Sequence, residues 1–247
     1  MPYFKTNRGY TLIEMVVVLV IISIIALIAL GSLEHISQSV PFEETREKMQ
    51  KLANAIAGDP RVTSSGGRSD YGYVGDIGAL PASWENLVTN PGYATWQGPY
   101  VREDFSDGTI SGAYKTDAWG VEFSAPGISF SSTGSGETFT QNVISSSADL
   151  FNNDLTLVIY DINYSAPGSD YKDSLQVILY HPDGAGGTTA RSAVPDAAGT
   201  VTFSNVPVGS HTLLTIYNPA NDTLTRRVNI NPGQDSYTEI QHYAELW

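Results

Sequence analysis

From Tyr10 to Leu30 the chain reads YTLIEMVVVLVIISIIALIAL, and from Met15 to Leu30 the only polar side chain is Ser23. So long an apolar run without a turn residue predicts a helix and not a strand of a soluble sheet. At about 1.5 Å per residue its length matches the roughly 30 Å hydrocarbon core of a bilayer, so a transmembrane helix is expected. The pattern then becomes amphipathic. Phe42, Met49, Leu52, Ala53 and Ile56 fall on one helical face, and the pairs Glu44–Lys48 and Glu47–Lys51 occupy the others. Pro41 predicts a kink, and Gly58-Asp59-Pro60 predicts the end of the helix. The stripe is expected to anchor a globular head to the rod. Residues 61–79 are rich in Gly, Ser and Asp and read as loop.

From about Leu150 the period shortens. Leu155–Asp161, Leu175–Tyr180, Thr200–Phe203, Thr212–Tyr217, Thr223–Ile230 and Tyr237–His242 read as short strands. Turn residues separate them, notably Pro182-Asp183-Gly184, Asn218-Pro219 and Asn231-Pro232-Gly233. This pattern predicts an all-β sandwich. The expected fold class is thus α+β: a long N-terminal transmembrane helix, a mixed α/β head and a sandwich.

Composition narrows the function. Apolar residues are 41% and aromatics 11% of the 247 residues, enough for a buried core. The formal net charge of −13 excludes nucleic acid as a partner, which would need a basic face. With no cysteine, neither a disulfide framework nor a thiolate metal site can form. Lys5 and Arg8 precede the apolar run and Glu34, Glu43 and Glu44 follow it, which places the N-terminus in the cytoplasm and the rest outside. His35, His181, His211 and His242 are scattered, and neither a Gly-x-Ser-x-Gly elbow nor a phosphate-binding loop occurs, so no enzyme is expected.

Two features of the N-terminus carry chemistry. An ordinary secretory signal has its small-residue cleavage site after a shorter apolar stretch; here a glycine, Gly9, stands before the run, and a cut there would leave the helix on the mature chain. Glu14 is a carboxylate one turn inside an apolar helix. It either reaches back to the interface or waits for a cation from a neighbouring chain. Gly9-Tyr10-Thr11-Leu12-Ile13-Glu14 followed by the apolar run resembles the processing motif of type IV pilins and type II secretion pseudopilins. The resemblance implies cleavage by a prepilin peptidase after Gly9, methylation of the new N-terminus at Tyr10, and an assembly role for Glu14. Tyr10 departs from the usual phenylalanine.

A second resemblance extends it. Ala79-Leu80-Pro81, Asn90-Pro91, Trp96-Gln97-Gly98-Pro99-Tyr100, Asp117-Ala118-Trp119-Gly120 and Ile128–Ser135 are similar to the head of the major type II secretion pseudopilin. Trp96, Tyr100 and Trp119 are expected to be core aromatics. Glu103, Asp104, Asp107 and Asp117 offer hard oxygen donors, and the resemblance implies calcium near Asp104, Asp107 and Asp117, although no twelve-residue EF-hand loop is present. Gly199–Leu213 resembles carboxypeptidase-regulatory or transthyretin-like sandwiches, which carry no catalytic group. The expected organisation is a leader over 1–9, a transmembrane and amphipathic helix over 10–58, a pseudopilin-like head over 59–149 and a sandwich over 150–247. The expected function is a structural subunit of a type IV pilus-like or type II secretion pseudopilus filament. Its partners would be prepilin peptidase, other copies and other pilins, and the inner-membrane assembly machinery. The subunit would start in the cytoplasmic membrane and end in a periplasmic or cell-surface filament. The alternative is a minor or tip subunit that binds a surface or substrate through its sandwich.

Overall fold

The structure, a computed structural model, describes residues 11–64, 66–102, 105–106, 109–110 and 112–247, with backbone only for 27–39, 105–106 and 109–110. Helix α1 runs from Leu12 to Ala57 with Pro41 inside it, so the proline does not end the helix. Gly58 ends it at φ 82°, where a Cβ would stand 2.2 Å from the Asp70 carbonyl oxygen. Only glycine fits there. Arg68 then caps the free carbonyls: its Nη2 donates to Ala57 O and Gly58 O and its Nε to Asp70 O. A cation is well placed at a helix C-terminus.

The segment expected as loop after α1 is partly ordered otherwise. A short hairpin, β1 (Thr63–Ser64) and β2 (Gly67–Arg68), leads into helix α2 (Gly72–Ile77). Tyr73, Val74 and Ile77 of α2 are buried. Gly72 and Gly75, which disguise this helix in the sequence, allow the approach: a Cβ on Gly72 would lie 2.6 Å from Ala55 O. Next come β3 (Phe105–Ser106), β4 (Thr109–Ile110), the hairpin β5 (Ser129–Ser132) and β6 (Phe139–Asn142), and helix α3 (Ser147–Phe151).

These elements share one core. Met49, Leu52, Ala53 and Ile56 of α1 meet Tyr73, Val74 and Ile77, the ring cluster Trp84, Phe123 and Phe130, and Leu150. The Trp84 and Phe130 centroids are 4.9 Å apart in an edge-to-face contact, and the Trp84 indole donates to Ser124 O. Trp96 and Tyr100 pack against this core as expected. Trp119 does not: it stays more than a third exposed, its ring 5.0 Å from Phe42 at the edge of the helix.

The remaining chain forms two sheets around a second core. The strands are β7 (Asn153–Tyr160), β8 (Leu175–Pro182), β9 (Thr188–Ala193), β10 (Thr200–Val206), β11 (Gly209–Tyr217), β12 (Asp222–Ile230) and β13 (Ser236–Gln241), with the one-turn helix α4 (Gly168–Tyr171) before β8. One sheet has the order β10-β7-β13, the other β12-β11-β8-β9. β13 runs parallel to β7 and the other pairs are antiparallel. Leu155, Leu157 and Ile159 of one sheet face Val177, Leu179 and Leu213 of the other. Strand β9 was absent from the sequence expectation because Thr-Thr-Ala-Arg-Ser-Ala offers no large apolar residue.

The two cores are bolted together. Val208, in the β10–β11 turn, is buried in the first core, and its amide donates to Leu150 O. Gly184 N donates to Ile77 O, Gly233 N to Asp149 O and Asn153 Oδ1, and Tyr71 Oη to Asn231 Oδ1. Gly209 faces Gly75 so closely that a Cβ would meet Gly75 O at 2.9 Å. Beside this junction lie His181 and His211, ring centroids 6.0 Å apart. The His211 Nε2–H donates to Pro207 O, and burial pushes the ring's pKa down to about 4. The Pro207 bond opposes that shift, while nearby His181 and Arg227 add to it.

Candidate functional site

The N-terminal part of α1 is the candidate assembly site. Thr11 caps the helix: Glu14 N donates to Thr11 Oγ1 and Thr11 N to Glu14 Oε2, a reciprocal capping box. Glu14 therefore has a local role that the expectation of a partner-seeking carboxylate left out. Its spacing, Thr-x-x-Glu before an apolar run, is the sequence signal for that cap. The carboxylate also suits the positive end of the helix dipole. Gly9 and Tyr10, the expected cleavage and methylation positions, lie outside the described residues.

Beyond the cap, every side chain from Leu12 to Ala26 is exposed, with Leu12 at 83% and Ile25 at 60%. Ser23 turns its hydroxyl onto Leu19 O, which satisfies the one polar side chain between Met15 and Ala26. Among the described residues no helix is long and apolar enough to cross a membrane.

The calcium expectation falls on a different region. Asp104 and Asp107 lie outside the described residues, as does Glu103. Asp117 is buried, and its two oxygens are filled by the protein. Oδ1 accepts from Trp119 N and Val121 N at 3.0 and 2.9 Å, and Oδ2 from Ser132 Oγ and Gly134 N at 2.7 and 3.0 Å. Burial alone pushes its carboxyl up; the four hydrogen bonds together outweigh burial and hold it below the usual carboxylate range. The adjacent Ala118 N donates to the buried Thr45 Oγ1 of α1. Asp117 thus ties the Asp117–Gly120 turn, strand β5 and the rod into one unit. Among the described residues no group of three or more His, Cys, Asp or Glu is arranged to hold a metal ion. His242 is also placed structurally, its Nδ1 3.0 Å from Asp222 Oδ2.

Comparison with known proteins adds one finding of weight. Residues 4–30 match the family described as the prokaryotic N-terminal methylation motif, so the chain carries the N-terminal motif of prepilin-type proteins. No curated protein sequence matches the chain. One solved structure of partial similarity is a variant of the major pilin subunit of Bacillus cereus. It has 13% identity and a TM-score of 0.27, over 46% of this chain and 36% of that one. A likeness that weak carries no argument about fold or function.

Proposed function

We propose that the chain is a pilin-like filament subunit, cut by a prepilin peptidase after Gly9 and assembled through α1. The observation that carries the reading is the pairing of the methylation motif over residues 4–30 with the apolar stretch Leu12–Ala26 of α1, whose side chains are all exposed. Before assembly the helix would hold the chain in the cytoplasmic membrane, the bilayer covering its apolar side chains. In the filament the helices of neighbouring copies would cover them instead. Glu14 would then leave its cap on Thr11 and pair with the Tyr10 amino group of the next copy, fixing axial register, since a buried charge without its partner is heavily penalised. Glu14→Ala tests this. The variant should keep a folded head and lose filament incorporation; normal incorporation contradicts the pairing role.

A minor or tip subunit with a binding role is the second reading. It is favoured by the sandwich, which leaves exposed tyrosines such as Tyr164, Tyr237 and Tyr243. Abundance along sheared filaments separates the two, a tip subunit being scarce. The resemblance of the head to pseudopilins favours a secretion pseudopilus, whereas the sandwich adds bulk suited to a surface pilus.

A further inference from the structure

The end of the sandwich remote from α2 is where β7 and β13 finish and β12 begins. The chain has two Asn-x-Ser/Thr triplets with no proline in the middle, Asn163-Tyr164-Ser165 and Asn221-Asp222-Thr223, and both lie at this end. His242 bridging to Asp222, one residue beyond the β13 segment beside β7, brings the two turns to the same face of the fold.

The turn around Asn163 is held by everything except the asparagine side chain. Asp161 Oδ1 accepts from Asn163 N at 2.8 Å and Ser165 N at 2.9 Å, Asp161 N donates to Ser165 O, and the Trp247 indole donates to the same carbonyl. Residues 162–166 are all exposed, and the Asn163 carboxamide has no hydrogen-bond partner among the described residues. Tyr164 is held at φ 58°, a conformation costly for an aromatic residue, which leaves its ring 68% exposed and 6.2 Å from Tyr160. Tyr243, 70% exposed, stands on the same end. The Tyr243 ring is already covered by the Arg226 guanidinium, whereas the Tyr164 ring next to the free carboxamide is open to the C–H face of a sugar.

We propose that Asn163 is the acceptor of an N-linked glycan, added after the sandwich reaches the far side of the membrane. The donor class is a sugar activated as a lipid or nucleotide diphosphate. The Asn163 Nδ2 forms a bond to the anomeric carbon, the bond from that carbon to the phosphate oxygen breaks, the amide proton passes to a base of the transferase, and the diphosphate leaves. No electron is transferred. Ser165 completes the recognised triplet, and the Tyr160 and Tyr164 rings receive the first sugar.

The inference rests on the exported placement proposed above, and one experiment separates the two. The full chain is purified from the membrane and sheared-filament fractions of its own source organism and mapped by peptide mass spectrometry. The expected result is a peptide carrying sugar increments at Asn163, lost in Asn163→Gln and in Ser165→Ala and kept in Ser165→Thr. An unmodified Asn163, or a modification that survives Ser165→Ala, overturns the proposal. The N-terminal peptide of the same sample reports on processing independently. A start at Tyr10 with a bare Asn163 overturns the glycan alone, and a start at Met1 with a glycosylated Asn163 overturns the filament reading alone.

Discussion

Leu52 and Ile56 are 1% and 0% exposed, whereas Leu19 on the same helix is 61% exposed. Leu52 and Ile56 lie on the one apolar face of an amphipathic stretch, Leu19 in a stretch that is apolar all round. What differs is where the partner is. The C-terminal stretch finds α2, Trp84 and Leu87 inside its own chain, and each side chain it buries contributes about 1.5–3 kcal/mol to the fold. Among the described residues, the N-terminal stretch packs on nothing in its own chain, and under the proposed function its burial would come from a bilayer and then from neighbouring copies. An apolar surface of that extent in one chain marks an interaction site, and it lies within the residues that match the methylation motif.

The sharpest way to break the comparison is to truncate one residue in each stretch. Leu52→Ala removes a fully buried side chain and should cost about 3 kcal/mol of stability, read as a lower urea midpoint in detergent. Leu19→Ala should leave that midpoint within about 0.5 kcal/mol of the parent while weakening filament incorporation. Equal effects on the midpoint would erase the distinction between the two stretches.

A comparable effect is expected from acid. His211 has a folded pKa of about 4 against about 6.5 unfolded, so the unfolded chain binds more protons between those values. Stability is therefore full above about pH 6.5 and declines as pH falls to about 4, by about 3 kcal/mol in total. Denaturant midpoints measured across this window should fall with pH, and His211→Gln should flatten most of the slope. A slope unchanged in that variant would place the acid sensitivity elsewhere.

A smaller loss should follow Asp117→Asn, which keeps the shape but cannot accept four hydrogen bonds from donors on both sides. About 2 kcal/mol is expected. The carboxyl is held below its usual range, so this contribution is present above about pH 4 and lost as pH falls through the folded value. Thermal melts at neutral pH, with and without added calcium, check it. A melt raised by calcium in the parent chain would show that the folded chain binds the ion.

These residues also mark what could be read from the chain alone. The helix end at Gly58 was legible because no other residue tolerates that φ beside the Asp70 carbonyl. Six strands were legible from alternation, with ends shifted by up to a few residues, whereas β9 was hidden because an edge strand needs no apolar face. Helix α2 was hidden by Gly72 and Gly75, which are there for close packing and not for a turn. The hub at Asp117 could not be read, since three of its four donors are backbone amides that folding brings together. The facing of His181 and His211 across β8 and β11 needed the strand register. The cap formed by Thr11 and Glu14 was in plain view at i,i+3, masked by the stronger functional signal of the same glutamate.

The central claim is that the exposed stretch of α1 begins, after processing, at residue 10 and is used for assembly. Mass spectrometry of the N-terminal peptide from membrane and sheared-filament fractions tests it most directly. The account predicts a chain starting at methylated Tyr10, enriched in the sheared fraction. A chain still starting at Met1 in cells with an active prepilin peptidase would contradict it and leave a membrane-anchored sandwich protein in its place.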